Sequence, residues 1–517
     1  MTLGVGPTTS PAASSRLGRG VAVNLAGTVV SAIVQFAVAI LITRGLSGIE
    51  AGILFTTTSI FFLANSVGQL GTQTGLVYFL PHHVGTGRED LVRGYLREAL
   101  VVVTALAIAM ALAACVLRDQ ISSAIFSDPA TADKASDYLV PLAVMLPFMA
   151  IEFVSLAASR GLGTMRDYSL VELVTRPSLQ LLLIIGVLIV GPQHLFSGAM
   201  ASAWALPYML AAAIAARLIW RRVRNFPRAP TWRAFPDRRI FWKYTAPRGA
   251  TNVAQSAMQR FDIVLVAALA GPVEAAVYAA ATRFIVLGQM VVNAINLAAQ
   301  PGVAAALGRE DVEAARHIYR TSTVWLMLIT WPMYLTLLVG SPVLLQAFGS
   351  GYSTGESVIV VLALAMLIST ALGQVDMVLA MSGRTSWNLL NALLALATLV
   401  AVDLVMIPGH GALGAAIGWG AAILVRNVAA LIQVWLAVGM HPFGGSSLLV
   451  ATLSTLTFAI IGGGTMTLLG ENVGSIVVAV AGASVLHMAL VWKLRRRLDL
   501  ADLIAGLRKR RSRPTAV

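Results

Sequence analysis

Charge is scarce in this sequence. Only 12% of its 517 residues are Asp, Glu, Lys or Arg, against about 25% in a typical soluble domain. Cysteine is scarcer: Cys115 stands alone, which excludes an intrachain disulfide and any cysteine-cluster metal site. With 57% hydrophobic residues and a mean hydropathy of +0.80, the chain is no soluble enzyme, disordered protein or disulfide scaffold. A net charge of +14 would ordinarily suggest nucleic acid. Here the basic residues sit in loops between apolar runs, so they report membrane topology, and no nucleic-acid partner is expected.

A helix needs about 20 apolar residues to cross a bilayer. Fourteen runs qualify: 21–43, 51–72, 98–117, 138–158, 170–191, 198–219, 248–270, 274–298, 319–340, 356–379, 387–407, 412–437, 447–469 and 474–493. They are numbered here as spans 1 to 14. Span 1 follows Arg16 and Arg19 and is too long for a signal-peptide core, so it reads as a retained span. With a cytoplasmic N-terminus, only Arg44, Arg118 and Lys134 lie outside, and Arg176, Arg260, Arg283 and Arg426 lie within spans. The other 30 of the 37 basic residues lie inside. This bias and the even span count both set the two termini in the cytoplasm. The longest external loop, 118–137, is too short to hold a catalytic domain. The inside loop 217–248 is basic and aromatic (Trp220, Trp232, Phe235, Phe241, Trp242, Tyr244) and reads as an interfacial anchor on anionic lipid. The tail Arg508-Lys509-Arg510-Arg511-Ser512-Arg513 reads as a topology lock.

The chain repeats itself. Gly87-Arg88-Glu89-Asp90 recurs as Gly308-Arg309-Glu310-Asp311. Arg19-Gly20 matches Arg248-Gly249, Glu50 matches Glu274, Pro81 matches Pro301, Gly163 matches Gly383, and Gly198-Ala199 matches Gly414-Ala415. Span 1 thus corresponds to span 7, and each copy holds six helices. An even number keeps the copies in one orientation, related by an axis along the membrane normal. The expected fold is all-α, with two like-oriented six-helix lobes around a central cavity plus two C-terminal helices. The expected divisions are a cytoplasmic tail 1–19, an N-lobe 20–222, a basic linker 223–247, a C-lobe 248–440, spans 13 and 14 in 441–494, and a basic cytoplasmic tail 495–517.

Four helices carry polar stripes at helical spacing. Span 1 has Asn24, Thr28, Ser31 and Gln35; span 7 has Arg248, Asn252, Gln255, Gln259 and Asp262. Span 2 has Thr58, Asn65, Gln69 and Thr72, repeated in span 8 as Thr282, Gln289, Asn293 and Asn296, with Gln300 beyond. Any one such residue reads as interhelical glue; four full-length stripes on repeat-related helices read as the walls of a wet cavity. Arg260, Arg283 and Arg426 add cations at membrane depth, although Arg260 lies about 100° from the centre of its stripe and has to reach in. Glu172 and Arg176 form an i, i+4 pair, and Glu152, Asp376 and Asp403 are further intramembrane charges. Guanidinium forks match phosphate oxygens, and amides and hydroxyls match sugars, so such a cavity suits a ligand bearing a diphosphate and a glycan.

With its spans, duplication and phrases such as Arg44-Gly45-Leu46-Ser47, Gly71-Thr72-Gln73-Thr74-Gly75-Leu76-Val77 and Ser159-Arg160-Gly161-Leu162-Gly163, the chain resembles the MOP transporter superfamily, and within it Wzx-type polysaccharide biosynthesis proteins. The resemblance covers 20–494. It implies a non-enzymatic flippase for polyprenyl-diphosphate-linked oligosaccharide, working by alternating access in the cytoplasmic membrane. It also implies a monomer surrounded by membrane lipids and served by polysaccharide assembly machinery. The lipid II flippase carries arginines near the start of its first span. Here Arg16 and Arg19 are close to that place, but the mid-depth cations lie in spans 7, 8 and 12, which argues against lipid II. The MATE exporters use cavity carboxylates for organic cations, which the arginines here disfavour.

No cofactor is expected. Asp262 and Asp376 are the candidates for H⁺ or Na⁺ coupling. His82-His83 are adjacent on a helix and cannot share a metal, and Gly462-Gly463-Gly464 lacks Walker spacing and reads as close helix packing. Three alternatives stay open: a lipid II flippase, a MATE-like ion-coupled exporter of small molecules, and a membrane polymerase or ligase, which the short external loops disfavour.

Overall fold

The computed structural model of the chain describes residues 11–191, 194–227, 237–495 and 497, with side chains from 24 onward except at Leu25, Thr385 and the undescribed positions. Arg16 and Arg19 (as side chains), Trp232 and Phe235 of the linker, and the tail cations 508–513 lie outside the described residues. All regular structure among the described residues is helical. Thirteen helices are long and apolar enough to cross a membrane. One of them, Thr385–Val438, is 54 residues long, more than twice what a bilayer needs.

That helix is two spans. At Gly411 the backbone leaves the helix with φ 54° and ψ −132°, a conformation glycine tolerates and a Cβ resists. The arms then run back along one another. A Cβ on Gly414 would lie 2.6 Å from the Met406 carbonyl carbon, and one on Gly418 would reach the Asp403 carboxylate. Further from the bend, Asn391 and Gln433 exchange amide hydrogen bonds of 2.7 and 2.9 Å. Each step down one arm is matched on the other, the register of an antiparallel hairpin. Counting both arms gives the fourteen passes expected from hydropathy, and the protein is a multi-pass membrane protein.

Local chemistry explains where the helices begin. Ser47 and Glu50 form a reciprocal capping box at Gly48–Gly68. Asp128 caps Pro129–Gly161 by accepting from the Thr131 amide at 2.9 Å, with proline at the first helical position. Asp311 and Asn472 cap Val312–Leu345 and Val473–Lys493 in the same way.

The structure departs from the expected span 2. The chain stays helical beyond it, but not continuously. Gly48–Gly68 ends, Leu70 and Gly71 adopt positive φ (47° and 74°), and a second helix, Thr72–Gly85, follows. The repeat-related helix Pro272–Gly308 runs unbroken. Where span 2 has Leu70-Gly71, span 8 has Ala294-Ile295, and a β-branched residue cannot take the left-handed conformation without strain. Span 10 is broken in turn: Glu356–Ala371 and Val375–Met381 are separated at Gly373 (φ 71°), whereas its repeat mate Pro129–Gly161 is continuous, although Gly163 and Gly383 follow the two helix ends with similar φ of 84° and 82°.

The chain divides into two compact units, Met1–Ala268 and Leu269–Val517. By packing, the helix Arg238–Ala270 that carries span 7 therefore goes almost wholly with the first six spans. Its start also corrects the anchor reading of the linker. Phe241 is buried against Phe79 and Tyr95, and Trp242 Nε1 and Arg238 Nε both donate to Glu98 Oε1, at 2.9 and 2.7 Å. These residues dock on protein rather than on lipid.

Candidate functional site: a polar cavity in the first unit

The break in span 2 shapes a cavity of about 530 Å³ within the first unit, inside the usual range for ligand sites. At the break, Gly71 crosses Gly249 backbone to backbone: a Cβ on Gly71 would lie 2.5 Å from the Gly249 nitrogen. This contact sets the helix Arg238–Ala270 against both halves of the broken helix. The cavity walls carry six amides (Asn65, Gln69, Gln73, Asn252, Gln255, Gln259), three hydroxyls (Ser66, Thr74, Ser256), two arginines (Arg160, Arg260) and three apolar side chains (Phe62, Val77, Phe153). No carboxylate is among them.

Several polar groups are already organised. Gln69 Nε2 donates to Asn65 Oδ1 at 3.2 Å, Thr72 Oγ1 donates to the Gln69 carbonyl at 2.8 Å, and Ser66 Oγ donates to the Asn252 carbonyl at 3.4 Å. Arg260 lays its guanidinium over the Phe62 ring, 4.4 Å from the centroid. Phe62 in turn packs with Phe61 and Trp204, and Tyr208 joins the same aromatic group. Arg160, in the last turn of Pro129–Gly161, sits over the Tyr168 ring at 4.8 Å and donates from Nη2 to Gln73 Oε1 at 3.4 Å.

Of the residues expected to bind ligand, the cavity brings together Asn65, Gln69, Asn252, Gln255, Gln259 and Arg260. The others lie elsewhere. Asn24 accepts from Ser169 Oγ at 3.3 Å and Gln35 donates to Ser31 Oγ at 2.8 Å, so the stripe on span 1 makes helix–helix and local contacts. Arg248 donates to the Tyr244 carbonyl and lies 3.6 Å over that ring. Arg283, Gln289, Asn293 and Asn296 lie along Pro272–Gly308 in the second unit, and Asn293 is exposed. Arg426 is ion-paired with Asp376, whose backbone carbonyl accepts from Asn388 at 3.0 Å. Asp262 is buried and its carboxylate accepts from the Ile263 amide at 2.8 Å. Arg160, Gln73, Ser66, Thr74, Ser256 and the apolar walls were not expected from the sequence. Arg160 counts there as a topology charge, and residues 73–85 read as loop.

The intramembrane charges therefore sort by partner. Arg176 meets Glu172 at 2.5 Å and Gln180 at 3.1 Å, beside the buried Glu152. Arg426 meets Asp376. Arg160 and Arg260 have no carboxylate within ion-pair distance among the described residues. They alone line the cavity and are held by aromatic faces.

Beyond the cavity, Tyr95 donates to Asp237 Oδ2 at 3.1 Å and lies 3.1 Å from His83 Nε2. Burial holds the His83 imidazole below its ordinary pKa, opposed by the Asp237 carboxylate 4.0 Å away. Arg222 grips Asp167 with two hydrogen bonds of 3.0 and 3.1 Å. Together with Glu98–Arg238, these contacts clasp the helix ends beneath the cavity.

Fourteen passes arranged in this way share their fold with solved membrane transporters of the MOP superfamily. The lipid II flippase MurJ, in an inward closed conformation, matches with a TM-score of 0.73 at 13% identity, covering 91% of this chain and 98% of that one. An inward-facing multidrug resistance MATE transporter matches at 0.66 and 15%, covering 79% and 94%. A MOP superfamily transporter from Pyrococcus furiosus, whose binding pocket of reverse polarity is said to suggest a different function, matches at 0.55 and 14%, covering 84% and 96%. At such identities these likenesses concern the fold. The MatE domain model matches residues 247–404. The polysaccharide biosynthesis protein model matches residues 17–306, more than half of the chain, and the protein belongs to that family. Among curated proteins, none matches.

Proposed function

We propose that this protein flips a polyprenyl-diphosphate-linked oligosaccharide from the cytoplasmic to the outer leaflet for cell-surface polysaccharide synthesis. The observation that carries the reading is the cavity wall: two arginines, nine amide and hydroxyl side chains, and no acid among the lining residues. Diphosphate charge finds guanidinium donors there, and sugar hydroxyls find amides that both donate and accept. The prenyl tail stays in the bilayer, where it costs nothing to leave it. Alternating access exposes the cavity to one leaflet at a time. The moving bodies would be the N-lobe 20–222 together with span 7, and the remainder of the C-lobe 248–440, and both termini lie in the cytoplasm. Asp262 and Asp376 remain the candidates for H⁺ or Na⁺ coupling. The protein acts as a monomer, handing substrate to polysaccharide assembly machinery.

The test is a reconstituted liposome assay with a polyprenyl-diphosphate oligosaccharide in one leaflet. Protein-dependent appearance of the glycan at the other leaflet is expected. Absence of movement for every lipid-linked glycan tried overturns the reading. The MatE match at 247–404 favours a second reading, an ion-coupled exporter of small molecules. It predicts drug accumulation in cells lacking the protein, and an acid-free cavity makes organic cations poor cargo.

A further inference from the structure

The two cavity arginines stand at different depths. Arg260 lies eleven residues, about 16 Å of helix rise, beyond Gly249, where the helix crosses the break in span 2. Arg160 bonds Gln73, two residues past that break in the other direction along span 2. A diphosphate is too short to bridge both, so it sits at one of them.

Three features favour Arg160. It occupies the final turn of Pro129–Gly161, where the chain leaves the membrane on the side bearing Arg166, Arg222 and Arg224. A lipid-linked diphosphate rides at headgroup depth, which is the depth of a helix end, not of a helix middle. Tyr168 covers one face of the guanidinium, leaving its N–H edge for in-plane acceptors. Finally, its Nε is buried with no hydrogen-bond partner among the described residues, and its one hydrogen bond, to Gln73, is long. A buried charged donor left unmatched is costly unless a ligand completes it. The neighbouring Gly161 holds this arrangement in place. A Cβ there would lie 2.7 Å from the Leu76 carbonyl, so the end of span 4 is pressed against the helix that carries Gln73.

We propose that Arg160 grips the diphosphate of the lipid-linked ligand, with the glycan extending toward Arg260. The inference rests on the flippase reading for its ligand, but it concerns an anion subsite that can be probed without transport. The probes are farnesyl diphosphate and inorganic pyrophosphate, titrated by calorimetry into the full-length protein in nanodiscs of neutral lipid. Arg160→Gln should weaken both by tenfold or more. Arg160→Lys, which keeps the charge but loses the planar fork, should fall between. Lys134→Gln, which removes one positive charge from the Glu50 pair on the far side of the membrane, should leave binding as in the parent. Arg260→Gln should weaken these sugar-free probes less than threefold while raising KM for the glycan-bearing lipid more strongly. Should Arg160→Gln fail to fold, Gln73→Glu tests the same point: a carboxylate placed against Arg160 competes with the diphosphate, and Gln73→Leu does not.

Unchanged binding in Arg160→Gln, or an equal loss in Arg260→Gln, overturns the proposal. So does displacement of the probe by phosphatidylglycerol at equal concentration, which marks a general lipid-headgroup contact. Flipping that proceeds with parental KM in Arg160→Gln overturns it while leaving the flippase reading standing. Arg160-dependent diphosphate binding without any flipping does the reverse.

Discussion

Gly71 and Gly249 meet through bare backbone, with 2.5 Å between a Cβ built on the first and the nitrogen of the second. That contact seats the helix carrying Asn252, Gln255, Gln259 and Arg260 against the broken helix carrying Asn65, Gln69 and Gln73. Gly249→Val pushes them apart. Overpacking of this kind costs roughly 1–3 kcal/mol, so a lower melting temperature is expected in detergent. At temperatures where the variant remains folded, glycan flipping should still be lost. Parental flipping by Gly249→Val would show that the crossing does not shape the cavity.

The clasp beneath the cavity should respond to acid. His83 faces Asp237 and Tyr95, with His82, Arg88 and Asp90 also near, and its pKa is depressed chiefly by burial. The folded protein therefore keeps a neutral imidazole at a pH where the unfolded chain, titrating near 6.5, begins to take a proton. Stability from this site is complete above about pH 6.5 and declines as pH falls toward the folded value. Melting curves between pH 8 and pH 5 should be flatter for His83→Gln than for the parent; identical slopes would remove His83 from the account.

Cys115 lies near one end of Glu89–Val116 and is half-buried. If both termini are cytoplasmic, as proposed, that end is external. A membrane-impermeant maleimide should label intact cells through this single thiol, and Cys115→Ser should abolish the signal. Labelling only after the cells are opened would invert the topology.

Asp376 and Arg426 form an ion pair in which both side chains are partly shielded. Asp376→Asn and Arg426→Gln should each destabilise the protein. The double variant should lose less than the two combined, with a coupling of about 0.5–3 kcal/mol. Strict additivity in thermal melts would mean that the pair contributes no mutual stabilisation.

Asp262, buried two residues from the cavity's Arg260, should behave differently. Asp262→Asn is expected to slow flipping severalfold while the yield of folded protein stays near parental. Parallel loss of both would mark it as structural.

Much of this architecture is legible in the residues. Apolar runs of bilayer length announce the passes, and even the hairpin around Gly411 appears as two runs with a gap. Part of the cavity is visible as well, because five of its fourteen lining residues, Asn65, Gln69, Asn252, Gln255 and Gln259, keep helical spacing within single helices. What the sequence hides is contact between helices. Arg160 looks like any positive charge at the end of a span, and nothing linear says that it leans on Tyr168 and reaches Gln73. Residues 73–85 read as loop because His82, His83 and the Gly85–Gly87 turn dilute their hydropathy, yet they supply Gln73, Thr74 and Val77. Asn24 shows the opposite error: its spacing matches a cavity stripe, and its partner is the neighbouring Ser169.

Ile295 stands where the first copy has Gly71, so the duplicated sequence no longer encodes two equal machines. The first copy carries the bend, and the recess beside it takes five lining residues from span 7 of the second copy, whose own matching helix runs straight and whose Arg426 is paired with Asp376. A chimera built from two first copies would lose span 7, and with it Asn252, Gln255, Ser256, Gln259 and Arg260 from the cavity wall, as well as the Asp376–Arg426 pair. The ancestor of this chain, before its halves diverged, need not have worked as the present protein does.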